Sequence, residues 1–405
     1  MLPIIAWRNI WRSRTRSLIV IGSIIIGIWA LIFLLGFFMG QVNNYVSNII
    51  ENETSHIQFH QPQFKEDFEV RLYMDDALKT EQILKEAPEI AAITSRVLVN
   101  GMLASSAAAQ GVMAKGIKKN EENLVTRLAG KIIEGGYFET DKKNQLLISE
   151  RLAAKLKVKL RSKVVLTFQN IKGDISTAAF RIEGIYKTVN KNNDELYVFA
   201  QISDLQRLTE MPADAAHELA ILVKDFENTE GYADGLKTEY PQWKIENYKE
   251  ISPDLELFNS QIKLNMRIMT TIFMLALIFG IINTMLMAVL ERIKELGMLM
   301  AVGMNKIRVF LMVVLETFFI SLVGAPIGMI LGYFTLKYLN RVGIDLSNWS
   351  SAMEEFGMSS IVRPIADSET FITIAIAVII TAVLAAIYPA LKAIRLQPVE
   401  ALRKI

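Results

Sequence analysis

Residues Glu291 to Arg308 read ERIKELGMLMAVGMNKIR. Charge collects at the two ends, with Glu291, Arg292, Lys294 and Glu295 before an apolar middle and Lys306 and Arg308 after it. On both sides the chain is almost uncharged for the length of a membrane span. A charged hinge between two such runs is the pattern of a short loop on the water side of a bilayer, and the rest of the chain can be laid out from it.

A hydrocarbon core about 30 Å thick takes roughly 20 apolar residues in a helix. Four runs meet that requirement: Leu18 to Met39, Ile268 to Leu290, Val309 to Leu336 and Phe371 to Leu391. The first follows Arg8, Arg12, Arg14 and Arg16, yet it is longer than a signal core and no A-x-A-like site follows it, so it is expected to remain as an anchor. Composition agrees with a membrane class: of 405 residues 52% are apolar and 21% charged, and mean hydropathy is +0.30. The net charge of +2 offers nothing to draw in nucleic acid. The absence of cysteine excludes disulfides, thiolate metal sites and a cysteine nucleophile, and suits exposure outside the cytoplasm.

Lys and Arg near span ends set orientation. They collect in the N-terminal arm, in the hinge (Arg292, Lys294, Lys306, Arg308) and in the tail (Lys392, Arg395, Arg403, Lys404), which predicts that these three segments and both termini are cytoplasmic. The loop Tyr338 to Thr370 holds only Arg341 and Arg363 against five acids and is expected outside. The predicted organisation is an amphipathic arm over 1–17, transmembrane segments over 18–40, 263–290, 309–337 and 371–391, and a folded domain over 41–262. The hinge occupies 291–308, a short outer loop 338–370 and the tail 392–405. In a Gram-negative inner membrane the large insert faces the periplasm.

The insert carries strand-like HIQF (His56 to Phe59), VVLTF (Val164 to Phe168), FRIEGIY (Phe180 to Tyr186) and LAILV (Leu219 to Val223). It also carries helix-like DDALKTEQILKEA (Asp75 to Ala87) and SERLAAKLKV (Ser149 to Val158), with Ser149 placed as an N-cap. The expected fold class is therefore an α-helical membrane protein with four transmembrane helices and a large α/β extracytoplasmic domain between helices one and two.

No catalytic constellation stands out. His56 and His60 would lie on one strand face about 13 Å apart, too far for one metal ion. GVMAKGIK (Gly111 to Lys118) matches a phosphate loop only loosely, because its lysine is one place late and no Ser or Thr follows. Glu316 lies inside the third span, where an ionised carboxylate needs a partner or water. It is either a proton-relay or coupling group, or an ion pair with Arg292 or Arg308 within reach. Gly324, Gly328 and Gly332 are spaced four apart on one face, beside Pro326, and admit a close helix neighbour from the same protomer or a second one. In the arm, Ile4, Trp7, Ile10 and Trp11 share a helical face, as in a helix lying at the headgroup level with its arginines towards phosphate. The apolar middle of the hinge either docks a partner or folds back on the bilayer.

The hinge pattern ER-x-x-E-L-G-x-L-x-A-x-G resembles the coupling-helix signature of FtsX/MacB-type ABC transporter permeases. The resemblance continues through FLMVVLETFFISLVGAPIGMILG (Phe310 to Gly332) and YPALKAIRLQPVEALR (Tyr388 to Arg403). It implies that Glu291, Arg292, Glu295, Leu296, Gly297, Leu299, Ala301 and Gly303 meet a separate cytoplasmic ABC ATPase dimer, which holds ATP and Mg. It implies no cofactor and no ATP hydrolysis on this chain, and a second permease copy or paralogue beside it.

Within the family, AWRNIWRSRTRS (Ala6 to Ser17), GVMAKGIKKNEE (Gly111 to Glu122), IIEGGYF (Ile132 to Phe138) and ISERLAAKLKV (Ile148 to Val158) look most like the LolC/LolE lipoprotein-releasing permeases, with a MacB-like periplasmic domain. Arg161 and Ser162 depart from the Gly-Asp turn usual there. The implied activity is release of a lipoprotein from the outer leaflet of the membrane lipid to a periplasmic carrier. The alternatives are MacB-like export of peptides or amphiphilic drugs and FtsX-like activation of a cell-wall hydrolase.

Overall fold

A computed structural model describes the chain apart from residues 1, 13, 51–53, 140–141, 189, 350–358 and 396–405, so Arg403 and Lys404 of the tail lie outside the described residues. The chain forms two compact units, one of residues 1–43, 259–346 and 361–405 and one of residues 44–258 and 347–360.

Among the described residues of the first unit, four helices are long and apolar enough to cross a membrane. The first spanning helix is Arg14–Ile49, the second Pro253–Glu291, the third Lys306–Val342 and the fourth Ser368–Ile394, each running past its apolar run at both ends. Asn305 and Asp367 cap the third and fourth by accepting from the backbone N–H of Ile307 at 3.1 Å and of Thr370 at 2.9 Å. The second begins with Pro253, whose missing N–H costs nothing in a first turn.

One apolar core joins all four, with Ile28, Ile281, Val313 and Ala385 among its members. Phe279, Phe334 and Ile380 face outward and exposed. In water such a surface would aggregate, whereas hydrocarbon is its natural solvent. The three spaced glycines of the third helix meet the first: a Cβ on Gly328 would stand 2.9 Å from the Ile25 carbonyl oxygen, and one on Gly332 2.7 Å from Ile32 Cγ2. Close backbone approach of this kind holds helices together in lipid, where there is no hydrophobic drive between them. Of the two neighbours the sequence allowed, the glycine face is occupied by this chain's own first helix.

In the second unit, the strands are β1 (Ile57–His60), β2 (Ile90–Ala104), β3 (Ala109–Ile117), β4 (Ile132–Gly135), β5 (Gln145–Ser149), β6 (Lys163–Gln169), β7 (Ile175–Tyr186), β8 (Tyr197–Gln201), β9 (Glu218–Val223) and β10 (Lys244–Asn247). Among the described residues these make one mixed sheet in the order β10-β1-β9-β2-β3-β8-β5-β7-β4, with β6 bridging β2 and β7. The fifteen-residue β2 is the spine, pairing with β9 through its first half and with β3 and β6 through its second. β6 alternates buried and open positions, so only one of its faces meets core, whereas β1, β5 and β9 are buried on both faces.

Three of the four strand-like stretches fall wholly in strands and HIQF does so from Ile57, His56 preceding β1; both helix-like stretches contain helices, Ala77–Lys85 and Glu150–Leu156. Ser149 caps the latter, accepting from the Leu152 N–H at 3.0 Å. GVMAKGIK lies within β3 and the residue after it, so it is extended chain rather than a loop around a phosphate. Ser105 to Ala108 turn the β2–β3 hairpin, where Ser105 Oγ accepts from the N–H groups of Ala107 and Ala108, each at 3.1 Å.

Charge is buried in this sheet only with partners. Arg96 donates from Nε and Nη2 to the Glu122 carboxylate at 2.9 and 2.8 Å and from Nη1 to Glu218 at 2.5 Å. The three histidines are held neutral. His217 Nδ1 accepts from the Leu98 N–H at 3.0 Å while Nε2 faces the Val70 carbonyl at 3.0 Å, a pairing that only the Nε2–H tautomer satisfies. His56 Nδ1 likewise accepts from the Val223 N–H at 2.9 Å. Burial lowers His56, His60 and His217 each from 6.5 to about 4, against the smaller upward pull of neighbouring backbone groups and, for His60 and His217, of Glu218. The unfolded chain therefore binds protons that the folded chain does not, and this contribution to stability is complete above 6.5 and is lost as pH falls towards about 4. The thermal midpoint of the full chain in detergent is expected to decline progressively across that window; a midpoint independent of pH there would contradict neutral burial of the histidines.

Candidate functional site

The second spanning helix stops at Glu291 because Arg292 leaves helical geometry, at φ −103° and ψ 18°. A short loop helix, Ile293–Ala301, follows. Gly303 then takes φ +101°, a conformation costly for any residue with a Cβ, and reverses the chain into the cap of the third helix. The hinge is thus a helix between two breaks.

Its side chains divide by face. Leu296 and Gly297 are buried, Leu296 joining Val289, Met312 and Val313 in the membrane core. Both were expected among the residues that meet a partner; the structure instead turns them inward, where Leu296 fixes the loop helix to the third spanning helix. The open face carries Met298 (56% exposed), Leu299, Ala301, Val302 (84% exposed) and Gly303, and continues to Ile307 beyond the turn. Glu291, Lys294, Lys306 and Arg308 stand exposed around it. An apolar patch rimmed by charge is the kind of surface that is covered by a protein partner or by the bilayer interface.

Behind this face runs a chain of polar groups. Glu316 is 7% exposed. Arg292 Nη1 donates to its two oxygens at 3.2 and 3.3 Å, and Asn9 Nδ2, from the arm helix Leu2–Arg12, donates to Oε1 at 2.6 Å. Arg292 Nε donates to Glu295 Oε2 at 3.1 Å, and Glu295 also pairs with Arg12 of the arm. Burial raises the Glu295 carboxyl, but the two arginines outweigh it and hold the group below its usual range. Burial lowers Arg292, and Glu316 and Glu295 more than restore it. A carboxylate within a span costs on the order of 3 kcal/mol without partners. Here Arg292 and Asn9 supply them, and Arg308, the other cation within reach, is exposed instead.

The sequence pointed to Arg292, Glu295 and Glu316 but not to Asn9 or Arg12. The arm does not lie free at the membrane surface: Ala6 and Ile10 are fully buried, and Trp7 meets Phe319 of the third helix edge-on at 5.7 Å between ring centres. Ile4, Trp7 and Trp11 keep an exposed side, as the amphipathic reading requires. The missed signal was the spacing Ala6, Asn9, Ile10, which places an amide on the buried stripe.

This architecture defines a class: a membrane protein with four spanning helices, a large α/β domain inserted after the first, and a short loop helix with an open apolar face between the second and third. Residues 17–239, more than half of the chain, match the family model of the MacB-like periplasmic core domain, and residues 267–398 match that of the FtsX-like permease C-terminal region. The chain belongs to the FtsX/MacB-type permeases of ABC transporters. It is 23% identical over 249 residues to the uncharacterized ABC transporter permease YvrN of Bacillus subtilis, a match covering 57% of this chain and 56% of that one, so the chain spans about half the length of that relative. It is 21% identical over 339 residues to the lipoprotein-releasing system transmembrane protein LolE of Haemophilus influenzae, covering 80% of this chain and 79% of that one. It is 35% identical over 124 residues to the macrolide export ATP-binding/permease protein MacB of Rhodopirellula baltica, covering 31% of this chain and 16% of that one.

Replacing Glu316 by Ala strands Arg292 beside an empty place and is expected to cost about 3 kcal/mol of stability, the scale of breaking one half of a buried pair, while Glu316→Gln costs less because the amide oxygen still accepts from Asn9. Denaturant unfolding in detergent checks this, and a Glu316→Ala midpoint equal to that of the unchanged chain would contradict the pairing.

Proposed function

We propose that this chain is the membrane subunit of an ABC transporter whose ATP and Mg are bound by a dimer of separate ATPase subunits. The open face of the loop helix, Met298, Leu299, Ala301 and Val302, is the surface on which one ATPase subunit docks in the cytoplasm, and this patch is the observation that carries the reading. Glu295 and Arg292 act from behind it, setting the angle of the loop helix, rather than touching the partner. A second copy of the chain or a related permease supplies the other half. In this reading both termini are cytoplasmic, the α/β unit is periplasmic, and the membrane is the inner one.

The work done is the release of lipoproteins from the outer leaflet to a soluble carrier. Each lipid CH₂ withdrawn from the bilayer costs about 0.8 kcal/mol, so acyl chains leave only when nucleotide energy is coupled to their removal. What supports this substrate is that the similarity to LolE extends over 80% of the chain, through both units. Export of an amphiphilic molecule is the second reading, favoured by the 35% identity to MacB in a shorter region.

Val302→Asp puts a charge in the middle of the apolar face and is expected to leave the chain inserted while lowering its stimulation of the ATPase by about tenfold or more, because the complex would bury an unpaired carboxylate. Stimulation equal to that of the unchanged chain in reconstituted vesicles would remove the docking assignment. Depletion of the chain is expected to leave triacylated lipoproteins in the inner membrane; an unaltered distribution would turn the substrate reading towards export.

A further inference from the structure

The α/β unit is inserted between the first and second spanning helices, so it has two attachments to the membrane unit, and a stroke that moves it as one body must reach both. The loop helix is continuous in chain with only one of them, the second spanning helix. The first spanning helix begins on the far side of the arm, at Arg14, and runs without a break to Ile49, past the boundary between the two units at residues 43 and 44. What connects the start of that helix to the loop helix is the arm.

We propose that the arm helix is a working part of the coupling apparatus, with Asn9 and Arg12 as positioning residues that lock the start of the first spanning helix to the loop helix. The inference rests on the docking reading above and adds to it the route by which motion leaves the site. Asn9 and Arg12 are three apart and share one face of the arm. Asn9 grips Glu316 at 2.6 Å and Arg12 grips Glu295, so both ends of the polar chain terminate on the arm while Arg292 holds its middle. The arm is itself tied to the spanning helix that follows: Ser17 Oγ donates to the Ile10 carbonyl oxygen at 2.6 Å. The Arg12–Glu295 pair has 64% and 36% of its side chains exposed and alone would be weak. Continuity through Arg292 to the buried Glu316 fixes its geometry, which is the circumstance in which such pairs matter. Charge-bearing side chains here position helices and touch neither nucleotide nor substrate.

The test uses the full chain reconstituted in lipid vesicles with its ATPase subunits. The chain has no cysteine, so Ile175→Cys, at a site 76% exposed in the α/β unit, carries a single environment-sensitive fluorophore, and the readout is the fluorescence change on adding ATP and vanadate. In the Asn9→Ala/Arg12→Ala background the change is expected to fall about tenfold while ATP hydrolysis continues, a loss within the usual range of coupling between distant sites, and Arg12→Lys beside native Asn9 is expected to recover most of it. An undiminished change in the double variant would overturn the proposal. Should that variant fail to insert, Arg12→Cys/Glu295→Cys joined by a short bis-maleimide gives the answer, read by spin-label or antibody-tag accessibility in the α/β unit instead of the fluorophore. The unjoined double-cysteine variant, which lacks the Arg12–Glu295 pair, is expected to respond weakly and the joined one to recover most of the response; a full response without joining, or no recovery on joining, would overturn the proposal. Co-purification of the ATPase with the unchanged chain is scored separately and bears on docking alone.

Discussion

An ionised carboxylate cannot sit in a membrane span without partners, and the arrangement of the hinge end of this protein follows from how Glu316 finds them. Satisfying two oxygens from Arg292 requires the second spanning helix to end where it does, so that the guanidinium leaves the helix and turns back towards the third. Satisfying one of them again from Asn9 requires the arm to lie against the third helix. The loop helix then has a fixed inner face, anchored by Leu296, and presents a fixed outer one. If the loop helix docks the ATPase as proposed, such preorganisation serves it, since a loosely held helix would absorb displacement instead of passing it on.

Much of the fold was legible because membrane spans and buried strands announce themselves locally. Four apolar runs of the right length became four helices, and the alternation around VVLTF and the unbroken apolar run LAILV marked β6 and β9. The order of the sheet was not legible, since β1 pairs with β9 and β10 from the far end of the domain, and such pairing depends on which apolar faces meet in space rather than on neighbours in sequence. The candidate site was half legible. Glu316 stood out because charge in a span is anomalous, and Arg292 stood out by reach. Leu296 and Gly297 were grouped with the residues expected to meet the ATPase, and their burial in this chain was not legible because a motif does not record which way a helix is turned. Asn9 and Arg12 escaped because an arginine-rich amphipathic arm explains itself as a membrane anchor, and nothing in its composition distinguishes a helix on lipid from one seated on protein.

The two units answer to different solvents. In the membrane unit exposed Phe and Ile are ordinary, and specificity comes from small residues and one polar chain; the third helix closes on the first through Gly328 and Gly332. In the α/β unit, the burden falls on a conventional apolar core and on buried charges held by partners, above all Arg96, shared between Glu122 and Glu218. The neutral histidines beside that network make the unit sensitive to acid in a way the membrane unit is not. Each unit achieves its packing by the means its surroundings permit.

Everything in this reading requires the loop helix and the α/β unit to be on opposite sides of the membrane. Because the chain lacks cysteine, single thiols at Val302 and at Ile175, exposed by 84% and 76%, report this directly. With a membrane-impermeant maleimide applied to spheroplasts, Ile175→Cys is expected to be labelled at once and Val302→Cys only after the inner membrane is opened. Labelling of Val302→Cys in intact spheroplasts, or protection of Ile175→Cys, would contradict it.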